Sequence, residues 1–478
     1  MVKIQKTSKL AKLSIAALLI GNSIVAAQHT GHAPVAAPVA EPTSAPVVEP
    51  APAPVAEPVV TAPEPVVVAV VEPAPAKPAE SLSTTVAGTK ISLYGRLELN
   101  AAYEDGATNT LWSSSAPKEV KDGNGKAINP QGRTSLSVAR TRFGMNLEGP
   151  SKEDEPTLKG RFEADFARVN EANNFNASTG FRLRQSWGSV NFKDIGLTLL
   201  FGQTDDVVNP LDPPSINPSS LNGAGNIGNR RPQIRATEAI GPVEIAVAAT
   251  HDRTYGYTAQ MDKNKSDTAT NKAVSDNNPP SSPAFQGRVG LKLPASWAGE
   301  KANLAFGVGG LYGKNEVANA DDKNSYAKPE PSYMFGLDLS LPLIDILTLT
   351  GEFFSGQNLS RYEGSLGQSR AYSNDGGIKS IGWWGGLAAK LPASVSAGAG
   401  VGAESLDDKS KSNGKAESNM FIFANVAYNF TSAAKVTFEY LTFSTDYSVA
   451  DKNDPTKFDK SDNGSLNRFE LNFRYDFK

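Results

Sequence analysis

Residues Lys90–Tyr103 read KISLYGRLELNAAY, and their side chains sort by parity. Ile91, Leu93, Leu97, Leu99, Ala101 and Tyr103 share one parity, while Ser92, Tyr94, Arg96, Glu98 and Asn100 share the other. Period two over about a dozen residues is the pattern and length of a tilted strand that crosses a bilayer with one face in lipid and the other in water. Working outward, similar runs recur at 136–148, 157–166, 181–192, 196–203, 231–239, 242–250 and 284–293. They continue at 301–312, 332–341, 346–356, 379–390, 394–403, 419–430, 434–445 and 465–477, which makes sixteen. The runs 196–203 and 394–403 alternate least, the second being rich in Gly and Ala. In the last run, Leu466, Phe469, Leu471, Phe473, Tyr475 and Phe477 form the apolar set, against Asn467, Arg468, Glu470, Asn472, Arg474 and Asp476.

The connections alternate in length. Long polar links at 105–135, 167–180, 204–230, 251–283, 313–331, 357–378, 404–418 and 446–464 alternate with short ones at 149–156, 193–195, 240–241, 294–300, 342–345, 391–393 and 431–433. A soluble sandwich does not sort its loops this way. A membrane barrel with short turns at one end and long loops at the other does, and an even strand count brings both chain ends to the short-turn, periplasmic side. The expected fold is therefore all-β: a 16-stranded antiparallel transmembrane β-barrel over residues 88–478.

Residues 1–27 have the three parts of a secretory signal: Lys3, Lys6, Lys9 and Lys12, then the apolar run Leu13–Ile20, then Val25-Ala26-Ala27 as a cleavage site. Residues 28–87 form a linker. Its stretch 28–80 holds 13 of the 32 prolines, with glutamates every seven or eight residues. Proline fixes φ and removes amide donors, so an extended polyproline II segment is expected, reaching roughly 160 Å at about 3.1 Å per residue. It reads first as a passive periplasmic spacer, with contact to the cell wall or a partner as the sharper alternative. His29 and His32 lack the further ligands that a metal site needs. The chain has no cysteine, and its formal charge of −3 leaves about −2 for residues 81–478, which argues against a nucleic-acid partner.

ISLYGRLELNAAY with TRFGMNLEGP, then FRLRQSWGSV, TLLFGQT and the aromatic final run, resemble the Gram-negative general porins. The blocks PLDPPSINPSSLNGAGNIGNRRPQIR, TGEFFSGQNL and SIGWWGGLAAK are most similar to the DcaP-like trimeric porins. The resemblance implies a homotrimeric diffusion channel in outer-membrane lipid, whose third loop, about 204–230 here, folds into the lumen as a constriction. Two features depart from that pattern. The chain ends on Lys478 after Phe477, and its N-terminal extension is proline-rich where DcaP-like proteins carry a helical coiled coil.

Residues 140–235 contain nine of the 17 arginines. Parity places Arg140 and Arg142 on the polar face of the second strand, and Lys159, Arg161, Glu163 and Asp165 on that of the third. Arg182 and Arg184 oppose Phe181, Leu183 and Trp187 in the fourth, and Arg231 and Arg235 face the lumen from the sixth. The expectation is an arginine ladder up one wall, with Asp205, Asp206 and Asp212 facing it from the loop. Guanidinium groups stay protonated when crowded, and opposed charges in a narrow pore concentrate and orient ionic solutes. A mild preference for anions such as small carboxylates follows, with pairing of the arginines to Glu163, Asp165 and the loop aspartates as the purely structural alternative. A second function class is a structural anchor whose proline-rich arm joins the membrane to the cell wall.

Catalysis is not expected, and no cofactor or metal is. His251 has no serine beside it marked as a nucleophile, and Asp321-Asp322 and Asp407-Asp408 sit in polar loops. Gly223–Gly228 spells G-x-G-x-x-G but lacks the strand before and helix after that dinucleotide binding requires.

Overall fold

A computed structural model describes residues 82–106, 115–116, 132–150, 155–169, 179–251, 282–315, 330–368, 377–451, 458 and 460–478. The signal segment, the linker up to residue 81, His29, His32 and Asp321-Asp322 lie outside the described residues. The first half comprises β1 (Ser83–Val86), β2 (Thr89–Glu104), β3 (Arg133–Ser137), β4 (Arg142–Glu148), β5 (Thr157–Val169), β6 (Thr179–Phe192), β7 (Leu197–Asp205), β8 (Arg230–Ile240) and β9 (Val243–Thr250). The second half comprises β10 (Ala284–Pro294), β11 (Asn303–Asn315), β12 (Glu330–Ile344), β13 (Leu347–Gln357), β14 (Lys379–Lys390), β15 (Val395–Leu406), β16 (Ala416–Asn429), β17 (Ala434–Val449) and β18 (Lys460–Phe477).

Both β3 and β4 pair with β2 and act as two halves of one strand. From β4 onward each strand pairs antiparallel with the next, and β18 returns to pair with β2, closing a ring of sixteen. Closure leaves no free edge, which is what lets a sheet exist in lipid. The short β1 stands outside that count. It pairs with Thr89–Ser92, on the edge of β2 that β18 leaves uncovered beyond Gly95↔Phe477. Its link to β2 is a two-residue turn with Ala87 and Gly88 at φ 50° and 79°, as the mirror-image hairpin turns require.

Side chains of the outward parity are apolar and exposed: Leu93, Leu97, Leu99, Leu158, Phe201, Ile234, Phe335, Ile381, Phe438 and Tyr475 are examples. The buried apolar residues are inside. Leu221 and Ala224 pack with Trp384, Phe421, Phe423, Phe443 and Leu466, while Val208 and Ile227 pack with Leu311, Met334, Phe354, Leu359 and Tyr362. In both clusters a residue of the segment between β7 and β8 meets inward-facing strand residues. The core of this barrel is the contact between its wall and a loop folded into it.

Three local readings change. The run 136–148 is broken at 138–141, where Thr141 N–H bonds Val138 C=O and Arg140 sits in the break. In β6, Glu163 pairs with Gln185 and Ala164 with Leu183, so Arg184 is an extra residue that reverses the parity beyond it. Trp187 therefore does not share the outer face of Phe181 and Leu183; its Nε1 donates to Gln185 Oε1 at 3.1 Å. Leu466 shares the parity of Arg468 and is fully buried in the inner cluster, because the lumen at that height is filled by loop and not by water.

Candidate functional site: a loop-narrowed lumen

Four prolines in residues 206–229 (Pro210, Pro213, Pro214 and Pro218) withhold amide hydrogens and prevent the segment from extending the sheet. Several of its backbone groups bond to side chains on strands far around the ring. Glu352 of β13 accepts from Leu211 N–H at 2.7 Å and from Trp384 Nε1 at 2.9 Å. Glu439 of β17 accepts from Ser215 Oγ at 2.8 Å, Ile216 N–H at 3.0 Å and Asn217 N–H at 3.1 Å. Glu470 of β18 accepts from Asn217 Nδ2 at 2.8 Å, and Asn419 and Asn425 of β16 donate to the carbonyls of Gly223 and Pro214. The acidic residues of this wall thus act as rivets for the loop.

The loop also touches backbone. A Cβ on Gly402 would lie 2.2 Å from the Ala224 carbonyl, one on Gly398 2.6 Å from that of Pro214, and one on Gly386 2.6 Å from the Pro214 ring. These glycines of β14 and β15 are extended, so their role is close approach and not conformational freedom. Gly225 on the loop side has φ 102° and would put a Cβ 2.0 Å from the Trp383 carbonyl. The G-x-G-x-x-G stretch thus lies against the barrel wall with no helix after it.

The opposite wall is basic. Arg140 reaches Glu98 at 3.2 Å and donates to the loop carbonyl of Ile216. Arg142 lies 3.3 Å from Glu163, and Arg184 contacts Glu163 at 2.7 Å and Asp165 at 3.1 Å. Arg182 grips Asp165 with two nitrogens at 2.9 and 2.7 Å. Arg161 bonds Asn146 Oδ1 and lies over the Tyr94 ring. Arg235 donates to Gln233 Oε1 and to the carbonyl of Asp205. Most of the ladder is thus partnered by strand carboxylates, with the loop aspartates contributing at two points. Asp205, at the end of β7, accepts from Gln185 Nε2 at 2.7 Å and lies 3.4 Å from Arg230. Asp206 pairs with Arg231, and both are buried. Asp212 is exposed to the lumen yet encircled by protein. That encirclement, and next the Asp205 carboxylate, push its pKa upward, while Arg230, Arg184 and Arg142 pull it down.

Two arginines that the sequence reading left out belong to this wall. Arg96 contacts Glu98 at 2.9 Å, and Arg230 stands beside Asp205. Arg96 already carried the polar parity in Lys90–Tyr103, so alternation alone could have found it. In all, eight guanidiniums (Arg96, Arg140, Arg142, Arg161, Arg182, Arg184, Arg230 and Arg235) stand on this wall with five carboxylates (Glu98, Glu163, Asp165, Asp205 and Asp212), and Arg161 and Arg235 are held by amide side chains. Toward the short-turn end a cavity of ≈ 410 Å³ opens beneath Pro214–Ile216, lined in part by Arg140, Lys435, Arg474 and Asn472.

Elsewhere the candidate polar groups have structural uses. Asp407 caps a short turn by accepting from Lys409 N–H, and Asp408 lies 2.9 Å from Lys411. His251 follows β9, and its N–H bonds the Pro232 carbonyl.

The outer-membrane channel DcaP of Acinetobacter baumannii superposes on this chain with a TM-score of 0.59 at 19% sequence identity, covering 82% of this chain and 99% of that one. The barrel has the fold of an outer-membrane channel. The Vibrio cholerae protein OmpT (TM-score 0.48, 12% identity, 83% and 100% covered) and Salmonella typhi OmpF in complex with daunomycin (0.48, 11%, 83% and 100%) are also similar. No family model matches the chain, and no curated protein matches it.

Proposed function

We propose that this chain is an outer-membrane porin: a passive diffusion channel for small hydrophilic solutes with a mild preference for anions such as small carboxylates. Its export by the N-terminal signal, a periplasmic linker and assembly as a homotrimer belong to the same reading. One observation carries the selectivity. Guanidiniums outnumber carboxylates on the wall that faces the loop, whereas Glu352, Glu439 and Glu470 on the other wall are engaged by loop and wall donors. An anion passing the constriction meets an excess of fixed positive charge in a low-dielectric surround, which raises its local concentration. A chain of pairs also offers a solute carboxylate alternative partners at each step, so binding stays weak enough for release.

The test is reconstitution of the purified protein in planar bilayers. Ohmic steps closing in groups of three, with a KCl-gradient reversal potential of the sign for anion preference, are expected. Absence of conductance contradicts the channel reading, and a cation-selective reversal potential contradicts the charge reading.

A further inference from the structure

Parity puts Arg231 on the lumen face, but its side chain is fully buried. Its guanidinium faces Asp206 as a fork: Nη2 donates to Oδ2 at 3.0 Å, while Nε stands 2.7 Å from Oδ1 as an ion-pair contact without the alignment of a hydrogen bond. Nη2 also donates to the Arg361 carbonyl at 3.1 Å, and the guanidinium carbon lies 4.0 Å from the centre of the Tyr362 ring. Arg361 and Tyr362 belong to the connection between β13 and β14, whose residues 358–368 fold against the constriction loop. There Gly228 N–H bonds the Tyr362 carbonyl at 2.8 Å, Gly223 N–H bonds that of Glu363 at 3.2 Å, and Asn229 Nδ2 donates to Glu363 Oε1 at 3.0 Å. The connection holds Asn358, Glu363, Ser365 and Leu366 at φ between 50° and 68°. Such backbone persists in non-glycine residues only where surrounding contacts over-determine it.

From this geometry we infer that Arg231 is a positioning residue: with Asp206 and Tyr362 it pins the constriction loop to residues 358–368, and this pin sets the pore width. The inference rests on the channel reading but not on its charge preference. Four strands separate β8 from β13 along the ring, so two loops from distant stations meet over the lumen. Because Arg231 is sealed from the lumen, it acts on permeation through the loop and not through its own field. Losing the guanidinium leaves Asp206 with a buried charge lacking its fork, and the loop shifts to hydrate it.

Single-channel recording on the full-length protein separates these roles, with Arg182→Ala as the comparator that changes wall charge alone. Arg231→Ala is expected to raise conductance about 1.5-fold or more and to increase open-channel noise, with a wild-type reversal potential. Arg231→Lys, which keeps the charge but not the fork, should fall between the two. Asn229→Ala, a milder cut in the same contact, should shift conductance and noise in the same direction and covers the case in which Arg231→Ala does not fold. Wild-type conductance and noise in these variants, with or without a lowered unfolding temperature, overturns the inference. So does a reversal-potential shift matching that of Arg182→Ala. A wild-type protein that forms no channel overturns the channel reading instead.

Discussion

The two sides of the lumen solve opposite problems. On β4–β8 the inward side chains are long and charged, and they hold one another apart from the loop through pairs such as Arg182–Asp165 and Arg184–Glu163. On β14 and β15 five inward positions are glycines, Gly382, Gly386, Gly398, Gly400 and Gly402, interspersed with Ser380, Trp384, Glu404 and Leu406. There the loop backbone lies on the strand backbone, carboxylates on β13 and β17 accept its orphan amides, and Glu470 of β18 accepts from the Asn217 side chain. One wall stays open and electrically active because the other has given up its side chains to seat the loop. Acidic residues are present on both sides, but Glu163 and Asp165 on one pair with cations, whereas Glu352 and Glu439 on the other accept from amide, indole and hydroxyl donors.

The largest effect should come from refilling the bare wall. Gly402→Val places side-chain atoms where the Ala224 carbonyl and Leu221 already sit, so overpacking should cost about 1–3 kcal/mol and push the loop toward the arginines. Thermal unfolding of detergent-solubilised protein and single-channel conductance should both fall. Gly385→Ala is the contrast, since the nearest atom to its Cβ is 4.0 Å away and neither quantity should move. Equal damage from both substitutions would mean that the glycines serve the strand and not the loop.

Next in size is Glu439→Gln. The carboxylate receives three donors from Ser215–Asn217 and a fourth from Asn425 Nδ2 at 2.8 Å. The amide keeps one acceptor and turns its NH2 group toward donors, for a loss of about 1.5–3 kcal/mol. Lower chemical stability with noisier open-channel current is expected; quiet, wild-type traces would show that the loop is held by its apolar contacts alone.

The smallest effect sharpens the comparison at Asp212, a loop carboxylate facing the basic wall. Its pKa lies above the ordinary Asp value, so it loses its charge at milder acidity than a free side chain does. As pH falls through that pKa, one negative charge disappears opposite Arg230, Arg184 and Arg142, and the lumen becomes more positive. Anion preference should therefore rise modestly on acidification. Asp212→Asn should show the raised value at neutral pH and a flatter pH response, whereas an identical pH profile would remove Asp212 from the field.

How far the sequence could be read depends on the physics that wrote each part. The sixteen-strand ring was legible because lipid outside and polar groups inside impose period two on stretches such as Lys90–Tyr103. That signal fades where the inner face meets protein instead of water. The run 394–403 alternates weakly because Gly398 and Gly402 are small to admit the loop, and parity misplaces Leu466 because it sits opposite Phe443 in the inner cluster and not against lipid. Trp187 was misplaced by a single inserted residue, which no periodicity reveals. Arginine density marked the basic wall, but parity gives only the face of Arg231 and not its burial. The rivets were illegible for a different reason: Ser215 and Glu439 stand 224 positions apart, and nothing local to either names the other.

On the proposed reading, excess guanidinium on one wall sets the selectivity of the lumen. Removing Arg182 and Arg184 together strips two positive charges from beside Glu163 and Asp165, leaving those carboxylates to face the loop with Arg142. The decisive measurement is the reversal potential in a KCl gradient for the wild type and for Arg182→Ala/Arg184→Ala. A shift from anion preference to neutral or cation preference is the predicted result, and an unchanged anion-to-cation ratio would contradict the account.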